Sequence, residues 1–150
     1  MHNLKKLAEE ILTDGYIMHL ATSLNDKPWS ATVAFSYDTN FSLYWLSYKE
    51  TRHSENIAKN PFVAATIMIT NEKYETRGLQ LEGEAKIITD DKQFFAIEAK
   101  YRRLTGRPMP KDLDEAKEAA GGRILYKLTP SKIYIHHEPL FGYERKEVNI

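Results

Sequence analysis

Two short polar breaks, Asn25-Asp26-Lys27-Pro28 and Asp38-Thr39-Asn40, separate three strand-like runs at Tyr16 to Ser23, Trp29 to Tyr37 and Phe41 to Ser47. Parallel neighbours need a crossover of a dozen or more residues, and these breaks leave no room for one. The spacing therefore predicts an antiparallel meander. Further strand-like runs follow at Phe62 to Thr70, Gly78 to Ile88, Ile124 to Leu128 and Ile133 to His137, the last two divided by Thr129-Pro130-Ser131. Leu4, Leu7, Ala8, Ile11 and Leu12 recur at helical spacing before Gly15, which predicts an amphipathic helix and its stop. A second helix is expected around Asp91 to Leu104, and one more short helix within the polar stretch Gly106 to Gly122, where Asp112 to Lys117 reads as a solvated face. Strands outnumber helices. Their regular spacing predicts a mainly β fold, a closed or partly closed antiparallel barrel with flanking helices. The length fits a single domain over residues 1–150.

Composition narrows the function. The 21 basic and 21 acidic residues balance to a formal net charge of zero, so no global field draws the chain to nucleic acid or to an anionic membrane, and any anion site must be local. Cysteine is absent, which removes disulfides, thiolate nucleophiles and thiolate zinc sites together. The start, Met1-His2-Asn3-Leu4-Lys5-Lys6, lacks the apolar core of a signal peptide, and no apolar run approaches a bilayer span. A cytoplasmic protein without membrane partner is expected.

The segment Thr51 to Pro61 reads as a short helix that opens on Thr51, Arg52 and His53 and stops at Asn60-Pro61. A helix N-terminus already carries about half a positive charge and unpaired N–H groups, so cations there are disfavoured by about 0.3–1 kcal/mol unless an anion faces them. Two readings stand. In one, the Thr51 hydroxyl, the Arg52 fork, a protonated His53 and the free N–H groups hold a phosphate; in the other, Thr51 is an ordinary cap and Arg52 extends into solvent. The strand from Trp29 to Tyr37 divides by parity into a bulky face (Trp29, Ala31, Val33, Phe35, Tyr37) and a small one (Ser30, Thr32, Ala34, Ser36). Against the small face a flat ring can lie and bond to the main chain, or the face is simply half-exposed. His136 and His137 fall on opposite faces of a strand, which argues against joint chelation, and no basic stripe accompanies Tyr44, Trp45 and Tyr48.

Taken in order, the small-faced strand, the tight turn, Phe41-Ser42-Leu43-Tyr44-Trp45-Leu46-Ser47 and the Thr-Arg-His helix start resemble the FMN-binding split β-barrel superfamily typified by pyridoxamine-phosphate oxidase. The similarity is greatest to a short, poorly characterised bacterial branch. It implies an antiparallel Greek-key split barrel, FMN as cofactor, and a homodimer with cofactor sites between subunits. By the same resemblance Thr51, Arg52 and His53 hold the flavin phosphate, and Leu46, Ser47 and the backbone of Thr32, Val33 and Ala34 contact phosphate and ring. Gln80, in Arg77-Gly78-Leu79-Gln80-Leu81-Glu82-Gly83, takes the place of a cofactor-facing glutamine.

The chain also departs from the oxidase pattern. Ala31 and Ser36 stand where true pyridoxamine-phosphate oxidases carry Arg and Lys, and their substrate-binding Arg-Leu segment is missing, which argues against vitamin B6 oxidation. No acid, base or nucleophile motif is evident, as expected if a flavin supplies the redox chemistry to an oxidoreductase of small molecules. Alternatives on the same scaffold are a stress or sensor protein that holds flavin without turnover, and a haem or deazaflavin binder. An oligonucleotide-binding barrel is disfavoured by the neutral charge. In the tail, Tyr143 and Arg145 either reach a partner's site or decorate an edge strand.

Overall fold

The computed structural model describes residues 1–150. Its element order is α1 (Leu4–Asp14), β1 (Ile17–Leu24), β2 (Lys27–Ala34), β3 (Ser36–Tyr37), β4 (Leu43–Ser47), α2 (Arg52–Lys59), β5 (Phe62–Thr70), β6 (Thr76–Ile88), α3 (Asp91–Thr105), α4 (Leu113–Ala120), β7 (Ile124–His137), α5 (Glu138–Phe141) and β8 (Arg145–Glu147). All strand pairs are antiparallel, in the order β2-β1-β5-β6-β7-β4-β3, with β8 added to β7.

The expected meander holds in full for its first hairpin and only through Ser36 and Tyr37 for its second. Asn25 and Asp26 take positive φ (50° and 58°), and Leu24 pairs with Lys27, so the turn is a two-residue one of the kind whose twist matches right-handed strands. The run Trp29 to Tyr37 then breaks at Phe35. Its first part pairs with β1 at one end of the sheet order, and Ser36 and Tyr37 pair with β4 at the other. One buried residue, Phe35, thus joins the two ends of the curled sheet, while β2 and β4 themselves remain unpaired. The barrel is closed by the chain and split along the β2/β4 seam.

The last two expected strands are one, β7, running through Thr129-Pro130-Ser131. Pairing shifts from Glu82 with Lys132 to Gly83 with Pro130, leaving Ser131 as an extra residue, and a bulge is where a sheet tolerates proline. Gly83 is required there, since a Cβ would lie 2.1 Å from the Thr129 carbonyl oxygen.

Alternation in β1, β5 and β6 puts Met18, Leu20, Val63, Ala65, Ile67, Leu79 and Leu81 inside, where they meet Ala8, Ile11 and Leu12 of α1, Ile57 of α2, and Trp45, which stacks on Tyr126 (5.4 Å, 13°). A second, smaller core lies outside the barrel. Tyr44 and Leu125 pack there against Phe94 of α3 and Ala116 and Ala120 of α4. The stretch around Asp112 to Lys117 is therefore solvated on one side only, because its alanines bury the other face against the sheet. No helix is long and apolar enough to cross a membrane.

Candidate functional site

The β4–α2 junction is built by capping. Thr51 is the N-cap of α2, with Oγ1 3.4 Å from the Ser54 N–H, 2.8 Å from Ser54 Oγ and 3.0 Å from the Tyr48 carbonyl. The first N–H groups of the helix have no intrahelical acceptor. Arg52 lies over the Trp29 ring, 4.3 Å from its centroid, and takes part in none of the ion pairs of the molecule. Its charge stays available. His53 behaves differently from the expected protonated ligand. It is turned inward and buried, its Nε2 shares hydrogen bonds with Ser47 Oγ (2.7 Å) and Thr51 Oγ1 (3.2 Å), and burial lowers its pKa, so the ring is neutral at pH 7. It fixes Thr51 and Ser47 in place and leaves Arg52 as the cation of the junction.

Strand β2 connects this junction to a cavity. Phe35 N–H donates to the Tyr16 carbonyl, so odd residues of β2 bond to β1, and Thr32 and Ala34 aim their main-chain N–H and C=O at the open seam. Pro28, which has no N–H to offer, sits on the same unpaired side. The cavity encloses about 230 Å³ between the seam and α3. Thr32, Val33, Ala34 and Leu46 line it, as do Ser36, Trp45 and Glu98. Trp29, under Arg52, is three to five residues from Thr32 to Ala34, a reach of about 10–17 Å along a strand.

Of the sequence-predicted site residues, Thr32, Val33, Ala34 and Leu46 meet at the cavity, and Ser47, Thr51, Arg52 and His53 meet at the junction. Gln80 joins neither. It stands in an outward row across the sheet, Thr32, His19, Thr66, Gln80, Tyr134, three strands from β2 and about 14 Å away at the usual strand spacing. His19 Nδ1 bonds Thr32 Oγ1 at 3.2 Å within that row. Tyr143 is exposed, and Arg145 begins β8 opposite His136 of β7, well along that strand from Ile124 to Leu128, where β4 pairs.

The sequence reading missed Ser36, Trp45 and Glu98 as site residues. In sequence Ser36 reads only as a small residue and a departure from the oxidase pattern, and Trp45 only as one aromatic of the run Phe41 to Ser47. Glu98 sits in an ordinary-looking helix, and only its 7 % exposure marks it. Nearby, burial and then the Asp38 carboxylate push the Tyr44 hydroxyl up to about 12; that hydroxyl donates to Asp38 Oδ2 at 2.8 Å, which locks β4 to the turn before it.

Comparison with known proteins agrees with this architecture. The pyridoxamine 5′-phosphate oxidase family model matches residues 4–137. A UPF0306 protein of Yersinia pestis is 27% identical over 100 residues, 65% of this chain and 68% of that protein. Among solved structures, General Stress Protein 26 from Bacillus anthracis superposes with a TM-score of 0.68 at 23% identity, covering 97% of this chain and 99% of that one. A heme binding protein from Mycobacterium smegmatis gives 0.75 at 15% identity, covering 98% and 58%. An FAD-binding protein from Mesorhizobium loti gives 0.68 at 14%, covering 89% and 92%. At these identities the structures establish the shared fold, and the family match over most of the length adds the lineage: with its barrel split at the β2/β4 seam and its helix start after β4, the chain belongs to the pyridoxamine 5′-phosphate oxidase family.

Proposed function

We propose that residues 1–150 form one flavin-binding unit that holds FMN along the open edge of β2 and uses it in an oxidoreductase of a small molecule other than a B6 phosphate. The observation that carries this reading is Arg52, a guanidinium with no carboxylate partner at the start of an eight-residue helix, placed at one end of the strand whose other end borders a cavity. The residues fit the group on three counts. Arg52, the Thr51 hydroxyl and the first N–H groups of α2 suit a phosphate dianion. The unpaired edge at Thr32 and Ala34 suits the donor and acceptor rim of a flat ring. The cavity beside that edge has apolar walls from Val33, Leu46, Phe94 and Ile97, which suit the faces of the ring. When bound, a flavin supplies hydride or electron transfer; the chain's own part is to hold the phosphate, orient the ring and exclude water.

One copy supplies only part of such a site, since 230 Å³ is below the roughly 300–1,000 Å³ of pockets that enclose a drug-sized ligand. The outward face of β5 leaves Phe62 and Met68 65% and 63% exposed. We therefore infer a two-fold dimer that covers this face, in which Gln80 of one copy serves a site on its partner.

Titration of the ligand-free protein with FMN, followed by flavin fluorescence, tests the reading; saturable binding near one FMN per chain is expected, and no binding at 100 μM FMN defeats it. A second reading, haem on the same scaffold, is favoured by the Mycobacterium smegmatis neighbour and by His19, exposed on the sheet with Nε2 free of hydrogen bonds. A haem absorption band in the purified protein in place of a flavin spectrum would select it.

A further inference from the structure

On its α3 side, the cavity behind β2 is bordered by charge that a ring position along the strand edge does not use. Four charged side chains line it: Glu98 and Arg102 of α3, Arg107 of the loop that follows, and Arg123 beyond α4. Three guanidiniums against one carboxylate leave two positive charges in excess, on a chain whose formal net charge is zero. The excess is local, and a cleft walled by apolar side chains concentrates its field.

Two of the three arginines are engaged within the protein. Arg102 Nε donates to Glu98 Oε1 and its Nη1 to the Pro108 carbonyl, both at 2.8 Å, so Arg102 and Glu98 neutralise each other. Arg123 donates to the Ala120 and Ala119 carbonyls at 2.7 and 3.3 Å, where it offsets the negative end of the α4 dipole. Arg107 is different. It makes no ion pair, and its guanidinium lies 5.5 Å from the centroid of the Tyr101 ring, which lines the same cavity. Its backbone is nonetheless fixed. Gly106 takes the left-handed conformation (φ 68°) and the Arg107 N–H donates to the Arg102 carbonyl at 2.9 Å, which closes α3 in a Schellman motif. With Arg102 also holding the Pro108 carbonyl, the chain on both sides of Arg107 is tied to the last turns of α3, and the exposed guanidinium stands at the cavity mouth.

We propose that this side of the cavity binds a small organic anion, a carboxylate carried on a flat apolar ring. The carboxylate pairs with the Arg107 fork at the mouth, and the ring enters between Ile97, Tyr101 and Ala119. Glu98 sets the direction of entry. It is 7% exposed and its second carboxylate oxygen receives no protein donor, so it repels the charged end of the ligand, which stays outward with Arg107. The assignment rests on the flavin reading only in naming this anion the substrate class; the charge preference stands on Arg107 with or without a flavin.

Benzoate and benzamide, alike in shape and different in charge, are the probes. In calorimetric titration of the full chain at about 20 mM salt, benzoate is expected to bind at least about tenfold more tightly than benzamide, the ratio narrowing at about 0.5 M salt as the guanidinium is screened. Arg107→Gln should bring the two ligands within about threefold of each other with little change in Tm, because no carboxylate of the protein pairs with that side chain. Arg103→Gln removes the same charge from the exposed surface of α3, outside the cavity, and should leave the preference intact. Benzamide binding as tightly as benzoate, no binding of either, or equal losses from Arg103→Gln and Arg107→Gln overturns the proposal. FMN fluorescence in the same samples separates the two ideas: FMN binding without a benzoate preference sinks this one alone, and a benzoate preference without FMN binding upholds it while removing the flavin reading.

Discussion

The seam between β2 and β4 and the closed end where β6, β7 and β8 meet α5 treat their polar groups in opposite ways. At the closed end the groups satisfy one another in a directed chain. Arg145 donates to His136 Nδ1 at 2.8 Å, which leaves the proton on Nε2; that N–H faces Thr76 Oγ1, whose own hydroxyl lies 3.3 Å from Glu138 Oε2, the same oxygen that accepts the Thr76 N–H at 2.9 Å. Only His137 Nδ1, on the opposite face beside Phe141, is left without a partner. At the seam, Arg52, Ser36, Trp45 and one oxygen of Glu98 have no polar partner in the chain. Both regions mix charge, imidazole and hydroxyl, so composition does not distinguish them. Satisfaction does: the closed end is arranged to hold the fold, and the seam to hold something else.

The sharpest way to break this contrast is to delete one charge from each region and read stability and binding together. Arg52→Ala should weaken FMN by about 1.5–3 kcal/mol, the scale of a charge-assisted hydrogen bond, and riboflavin far less. Stability should fall by no more than about 1 kcal/mol, the value of an exposed cation–π contact with Trp29. Equal losses for both ligands, measured by fluorescence titration, would show that Arg52 does not face the phosphate.

The mirror-image change is Glu138→Ala. It strips the acceptor from the Thr76 N–H and hydroxyl, so unfolding in urea should show a loss of about 1 kcal/mol, because the network is only partly buried. FMN affinity should not move. If it drops together with stability, the closed end is coupled to the seam and the division drawn above is wrong.

Much of the seam was legible in the sequence because its signals are local. The capping pattern Thr51 to Asn60-Pro61 gives α2 with the expected ends, and Asn25-Asp26 gives the first hairpin. What was not legible depends on partners far along the chain. The break at Phe35 is invisible to alternation, since the residue obeys the strand pattern and yet ends one pairing and begins another. The bulge at Ser131 looks like a turn until Gly83 is found pressed against Thr129. His53 reads as a cation beside Arg52, and only the fold, by placing Ser47 at 2.7 Å and excluding water, makes it neutral. Ser36 and Glu98 carry no motif, and their significance lies in partners they do not have.

Acid provides the finest test, because the histidines of both regions respond in the same direction for different reasons. Burial lowers the pKa of His53 at the junction; at the closed end burial, and then the charge of Arg145, lower that of His136, while burial and then Arg77 lower that of His137. A histidine whose folded pKa lies below its unfolded value of about 6.5 binds fewer protons when folded, so its contribution is fully present above that pH and is lost as pH falls through the folded pKa. Urea midpoints should therefore hold steady above about pH 6.5 and decline toward about pH 5, with a slope of at most about 1.4 kcal/mol per pH unit for each group. Arg145→Gln removes the charge that disfavours protonated His136 and leaves burial, and so should make the acid decline slightly shallower while lowering stability at neutral pH. His53→Gln keeps a donor for Ser47 and Thr51 without a titrating ring, and should flatten the decline by the junction's share. A stability profile indifferent to both substitutions would mean that neither imidazole resists protonation in the folded chain, and would return His53 to the role of a cation at the helix start.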